Sequence, residues 1–412
     1  MNRLPHILAS VLLAQSLIAQ TPVVKTGIEV LREKGFDILH GRRVGLVTNP
    51  TGVDSKLNST IGILHSSTVV NLVALFGPEH GVRGDQAAGD KVETCKDEET
   101  QLPVYSLYGK TRKPTQEMLK NVDVLVYDIQ DIGCRSYTFI STMGLAMEAA
   151  AENSVEFVVL DRPNPLGGER VEGNIGEKQF VSFVSQFPIP YVYGLTCGEL
   201  ATMLNEEGML KNGVKCRLTV VPMKGWKRTM TFEQTGLPWV PTSPHIPTSA
   251  SAMYTVGTGI IGELGVISEG VGYTTPFQVL AAPWINPVRL ADKLNALKLE
   301  GILFRPLTFR PFYGRWKDST LRGVQLHITD PSQLNLMSLQ FLFMQAHNEL
   351  HQDKNPFLMA DAARLKAFDN VIGTDEIRKR FVKRMKYEDI RDYLQKDVDA
   401  FRQKSRQYWL YR

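Results

Sequence analysis

Apolar runs along this chain stop repeatedly at clusters of polar and charged groups. Val44–Val47 leads into Thr48-Asn49-Pro50-Thr51-Gly52, and Val69–Phe76 into Gly77-Pro78-Glu79-His80-Gly81-Val82-Arg83-Gly84. Val122–Tyr127 leads into Asp128-Ile129-Gln130-Asp131-Ile132-Gly133, and Phe157–Leu160 into Asp161-Arg162-Pro163-Asn164-Pro165. Short continuous apolar runs read as strands buried on both faces, the habit of parallel sheets. Helical patterns fall between them. In residues 137–152, Phe139, Met143, Met147 and Ala150 share one face, and Ser136 is placed to cap that helix. Cys197–Leu210 reads as a further helix and Cys216–Val221 as a strand. Alternation of this kind predicts an α/β domain with a parallel sheet and helices on both faces. Ligands in such sheets sit outside the carboxyl ends of the strands, so the four polar clusters are expected to converge on one cleft with their carboxylates.

Residues 222–286 change character. Prolines and glycines punctuate them, with Trp226, Trp239, Tyr254, Tyr273 and Trp284 interspersed. They read as an irregular crossover, most clearly over 236–286, into a second domain over 287–412. That second part has an α+β pattern: helices at Val288–Leu299 and Leu334–His351, strands at Ile302–Phe309 and Leu321–Ile328.

A length of 412 residues suits two domains. A formal net charge of +4, without a Lys/Arg block, argues against a nucleic-acid partner. The N-terminus predicts export: Arg3 precedes a mostly apolar stretch over residues 7–18, too short to span a bilayer, with small residues near Ala19. Residues 1–19 are therefore expected as a signal peptide and the mature chain as periplasmic or secreted, without stable membrane insertion. Cys95, Cys134, Cys197 and Cys216 form no C-x-x-C pair, so plain thiols are expected rather than a metal or redox site.

Glu79 is the leading catalytic candidate. It stands at the tip of a strongly apolar strand, with Pro78 stiffening the backbone and glycines on either side. A carboxylic acid there can serve as a general acid. His80 beside it suits a shuttle or a substrate contact. Asp128 and Asp131 are candidates for the second carboxyl that glycoside hydrolysis usually needs, with Gln130 on the same face as Asp128. Arg162 suits a bidentate carboxylate clamp, or a pairing with Asp161 that fixes the turn. Two motifs are discounted. Gly257-Thr258-Gly259-Ile260-Ile261-Gly262 matches a dinucleotide fingerprint but lies far from the first βα unit, and no helix is expected behind it. His347 and His351 flank Glu349, a place too late for a zinc-protease helix, and read as a solvated helix end.

These motifs, continued by Pro222-Met223-Lys224-Gly225-Trp226-Lys227-Arg228, Gly236-Leu237-Pro238-Trp239-Val240, Ser268-Glu269-Gly270 and Pro283-Trp284, resemble the exo-acting β-N-acetylmuramidases of the NamZ type over nearly the whole mature chain. The resemblance implies a Rossmann-like catalytic domain (residues 22–235), a smaller C-terminal domain and an active site in the cleft between them. It implies hydrolysis of β-linked N-acetylmuramic acid from non-reducing ends of peptidoglycan fragments, muropeptides or disaccharides, without metal or cofactor. Glu79 matches the family's leading catalytic Glu. On this reading Asn49, His80, Arg83, Gln130, Asp161, Arg162, Asn164 and Glu269 contact substrate, and Trp226 or Trp239 stacks on the sugar. After Glu269 the family often carries Gly-Arg-Gly; this chain has Gly270-Val271-Gly272. Two rivals remain: a non-catalytic exported protein that binds cell-wall sugars, and a nucleotide- or phosphosugar-using enzyme on a similar fold.

Overall fold

The computed structural model describes residues 24–84 and 95–412; the expected signal peptide lies outside them. Among the described residues the first domain holds a seven-stranded sheet: β1 (Arg43–Thr48), β2 (Asn71–Gly77), β3 (Cys95–Lys96), β4 (Pro103–Ser106), β5 (Val124–Asp128), β6 (Glu156–Leu160) and β7 (Arg217–Val221). The order is β3-β4-β2-β1-β5-β6-β7. All pairings are parallel except β3 with β4. The chain builds outward from β1 through β2 to β4, then returns to set β5 against the other side of β1.

Side-chain alternation separates two cores. Val124 and Val126 of β5 face α1 (Gly27–Glu33) and α2 (Thr60–His65). Leu125 and Tyr127 face α4 (Phe139–Glu152) and α5 (Cys197–Glu206), while α3 (Gln116–Leu119) is a short turn before β5. The predicted strands therefore lie where double burial demanded them.

The second domain starts earlier than the sequence suggested. Residues 236–286, expected as an irregular crossover, contain α6 (Ser251–Gly262) and β8 (Val279–Ala282). The discounted glycine motif is the body of α6. It forms a helix because it packs on α8 (Leu336–Leu350): at Gly257 an added Cβ would sit 3.1 Å from Leu339, and Gln340 bonds both Val256 O and Ile261 N. β8 joins β9 (Ile302–Phe309) and β10 (Leu321–Ile328) in an antiparallel sheet ordered β8-β10-β9, backed by α7 (Pro287–Asn295). After α8 come α9 (Pro356–Met359), α10 (Ala362–Ile372), α11 (Glu376–Arg384), α12 (Glu388–Gln395) and α13 (Val398–Ser405). His347 is buried on α8 with its Nε2 accepting from the Trp284 indole at 3.0 Å, so it is no solvated helix end.

Two features join the domains. Ile132, Cys134, Tyr191 and Val192 of the first share a core with α6, α8 and α10 of the second. The last residues of the chain, expected in the C-terminal domain, return to the first: Phe401 and Tyr408 enter the α4–α5 core, and Tyr411 packs with Val24, Met223 and Trp226. No cysteine is in a disulfide; Cys95 is exposed and the other three are buried. Among the described residues no helix is long and apolar enough to cross a membrane.

Candidate active site

The polar clusters after β1, β5 and β6 lock into one another. Arg162 meets Asp128 bidentately, Nε to Oδ1 at 2.5 Å and Nη2 to Oδ2 at 3.0 Å, and Thr60 donates to the same carboxylate at 2.5 Å. Asn49 Oδ1 accepts from Thr51 N at 3.0 Å, holding its own turn. The Gln130 amide donates to the carbonyls of Asp131 and Pro163. Asn164 Nδ2 donates to Leu195 O at 2.9 Å and lies over Gly133, which has φ +83° and no room for a Cβ. Only about 20 Å³ remains between Thr51, Gln130, Arg162 and Trp239, room for water and not for a sugar ring. The crevice beside β1 and β5, where an open sheet usually binds ligand, is thus filled from within.

The acids of these loops are buried as well, though Asp131 Oδ1 has no hydrogen-bond partner among the described residues. Asp128 is fully buried in its ion pair, so it faces Arg162 and Thr60 instead of open space. Asp131 accepts from Gly133 N at 2.6 Å and from the Tyr193 hydroxyl, and burial raises its pKa to about 7. Asp161 is fully buried and accepts from Thr196, Gly198 N and the hydroxyl of Tyr411; burial raises its pKa to about 6. Arg83 is held bidentately by Asp97 at 2.9 Å and also meets Glu99. Trp226 is buried against Tyr411, edge to face at 5.0 Å, and presents no stacking face to a cleft. Trp239 is half-buried against Phe232, its indole N–H bonded to Ile246 O.

Glu79 stands apart. Its partners are hydroxyls, whereas Asp128 is held by Arg162 and Asp131 and Asp161 are buried in networks of their own. Half-buried at the end of β2, its carboxylate accepts from Thr138 Oγ1 at 3.0 Å. The Tyr108 phenol, just past β4, meets it too; burial first, then that hydrogen bond, push the phenol up to about 12. Thr138 is the N-cap residue of α4, yet its hydroxyl makes no cap bond because it serves Glu79. Ser136, the expected cap, pairs instead with the Tyr191 hydroxyl at 2.8 Å. His80 takes a left-handed backbone, φ 72°, and is buried. Its charge bears on His245, whose pKa falls through burial first and then through His80. His245 Nε2 lies 2.8 Å from the hydroxyl of Tyr313, on the β9–β10 connection. His80, next to Glu79 in the chain, is thus near His245, which in turn meets Tyr313 of the second domain.

Farther along the second domain is Glu269, half-buried, with burial raising its pKa to about 7. Among the described residues no group of three or more His, Cys, Asp or Glu side chains is placed to hold a metal. Tyr108, Thr138 and Tyr313 had not been singled out in the sequence. Tyr108 was within reach, because Val104-Tyr105-Ser106-Leu107-Tyr108 reads as a short strand from the sequence and Tyr108 ends it. Thr138 and Tyr313 were not, because only packing brings them to the β2 tip.

Profiles described as "Exo-beta-N-acetylmuramidase NamZ, N-terminal" and "C-terminal" match residues 44–250 and 253–411. The chain belongs to the NamZ family. The peptidoglycan beta-N-acetylmuramidase NamZ of Bacillus subtilis (strain 168) is 44% identical over 393 residues, 95% of this chain and 92% of that protein. Two crystal structures of DUF1343 family proteins from Bacteroides fragilis NCTC 9343 share the fold. One (BF0371) has a TM-score of 0.91 at 60% identity, and the other (BF0379) 0.74 at 28%; each match covers 94% of this chain and 99% of the other. The junction of the two NamZ profiles falls at the start of α6, where the second core begins.

Proposed function

We propose that this glycoside hydrolase of the NamZ family releases β-linked N-acetylmuramic acid from non-reducing ends of peptidoglycan fragments, with Glu79 as its catalytic acid. The family supports the substrate class. The observation that carries the residue is the setting of Glu79: of the acids at the ends of β2, β5 and β6, it is the one not consumed by an internal ion pair or by burial. Thr138 and Tyr108 fix its orientation through hydroxyls, which hold a carboxyl without neutralising it by an opposite charge. In the proposed reaction Glu79 protonates the glycosidic oxygen as the bond to the anomeric carbon breaks. The substrate's own acetamido group suits the part of nucleophile, as in substrate-assisted hexosaminidases. Asp128 is committed to Arg162 and supplies no free carboxylate. His80 and His245 line the approach from the second domain. Export follows from the N-terminal sequence and belongs to the same proposal.

The test is turnover of a chromogenic β-N-acetylmuramide beside the matching glucosaminide. Release from the muramide, lost in Glu79→Gln by about 10²- to 10⁴-fold in kcat, is the expected result. Muramide turnover that survives Glu79→Gln overturns the residue assignment. No turnover of either glycoside by folded wild-type protein overturns the substrate. The mass of the mature protein recovered outside the cytoplasm checks cleavage near Ala19.

A further inference from the structure

The muramidase reading requires a way to tell muramic acid from glucosamine. The two differ by a lactyl ether that carries a carboxylate, and in peptide-bearing fragments the stem carries carboxylates instead. A guanidinium is the natural reader of such a group. Most arginines around the strand ends are already engaged. Arg83 is held by Asp97 and Glu99, Arg162 by Asp128, and Arg228 by Glu199. Arg135 is fully buried, and its guanidinium donates to the carbonyls of Asn174, Ile189, Val371 and Ile372.

Arg112 differs from all of these. It is exposed and forms no ion pair among the described residues. Its guanidinium carbon lies 4.4 Å from the centroid of the Phe183 ring. The Phe183 ring is in turn 6.2 Å from that of Tyr108, tilted by 51°, and Tyr108 is the phenol that meets Glu79. Arg112 is close enough for its charge to act on that phenol. The ledge is anchored to the same helix as the catalytic carboxyl: Ser141 of α4 donates to Phe183 O at 2.7 Å, one turn after Thr138. An arginine laid on an aromatic face keeps the N–H groups along its edge free, and those are the donors a carboxylate takes in pairs.

We infer that Arg112, backed by Phe183, binds a substrate carboxylate beside Glu79 and so sets the preference for muramic acid. The inference rests on the muramidase reading, and its test separates the two. Wild type, Arg112→Gln and Phe183→Leu are assayed on the chromogenic muramide, the glucosaminide, a muramide with its lactyl carboxylate esterified, and a peptide-bearing fragment. In parallel, calorimetry measures binding of free N-acetylmuramic acid and N-acetylglucosamine.

Arg112→Gln is expected to lower the muramide-to-glucosaminide ratio of kcat/KM by about tenfold, mainly through KM, the effect of losing one charge-assisted contact. Phe183→Leu is expected to lower it by about threefold. Esterification should cost the wild type about as much as Arg112→Gln does and cost that variant nothing more. A defect confined to the peptide-bearing fragment supports the inference with the stem as the source of the carboxylate. Unchanged ratios on every substrate overturn it. If wild type cleaves neither glycoside, yet binds the muramic sugar in preference and loses that preference in Arg112→Gln, the muramidase reading falls and this site stands.

Discussion

Glu79 and Asp161 follow two parallel strands of one sheet, β2 and β6, with β1 and β5 between them, yet the protein treats them in opposite ways. Glu79 follows β2, on the side of the sheet that leads to β4, and its carboxylate is approached by two hydroxyls and left half-open. Asp161 follows β6 and is sealed by Thr196, the start of α5 and Tyr411, the penultimate residue of the chain. Asp128, at the end of β5, is sealed as firmly by Arg162. A strand end in an α/β sheet thus offers a place for chemistry, and what later segments fold over it decides whether chemistry or architecture uses the place. Here the C-terminal tail closes β6, the Arg162 loop closes β5, and the carboxylate after β2 stays half-exposed.

The comparison breaks most easily at Glu79. Glu79→Gln should lower kcat by about 10²- to 10⁴-fold while thermal unfolding stays at the wild-type temperature; a variant that unfolds instead would place Glu79 with the architectural acids. Asp128→Ala is expected to do the reverse. It leaves the Arg162 guanidinium buried without its counter-ion, which costs about 3–5 kcal/mol of stability in a denaturant titration. Tyr411→Phe should cost about 1–3 kcal/mol by the same measurement, since the buried Asp161 carboxyl loses a donor; activity in the folded fraction should persist.

The smallest effect is a change of slope with pH. Burial raises Asp131 to about 7, above its value in the unfolded chain. The folded state therefore holds this proton after the unfolded state has released it. The stability it contributes is complete at low pH, declines as pH rises through the acidic range, and is lost once pH passes about 7. Asp131→Asn should flatten that decline. An unaltered slope from pH 4 to 7, in stability measured point by point, would show that Asp131 titrates normally.

Local pattern reached unequal parts of the molecule. The strands of the first domain were readable because a parallel strand buried on both faces needs an unbroken apolar run, and Val124–Tyr127 has nothing else. The helix α6 was not readable. Its glycines and β-branched residues lower helix propensity, and it forms because Gly257 lets Leu339 of α8 close on it. The start of α4 was displaced from its predicted cap for a similar reason: the Thr138 hydroxyl is drawn to a glutamate 59 positions away in the chain.

The sequence by itself determined the order of strands and helices in the first domain, the membership of a family, and the placing of one glutamate at the tip of an apolar strand. Tertiary structure alone decided which of several equivalent acids stayed available. The partners that settle this are far away along the chain, 34 residues between Asp128 and Arg162 and 250 between Asp161 and Tyr411. Periodicity over a few turns records which face of an element is buried; it carries no record of which distant side chain will meet a given carboxylate once the chain has closed.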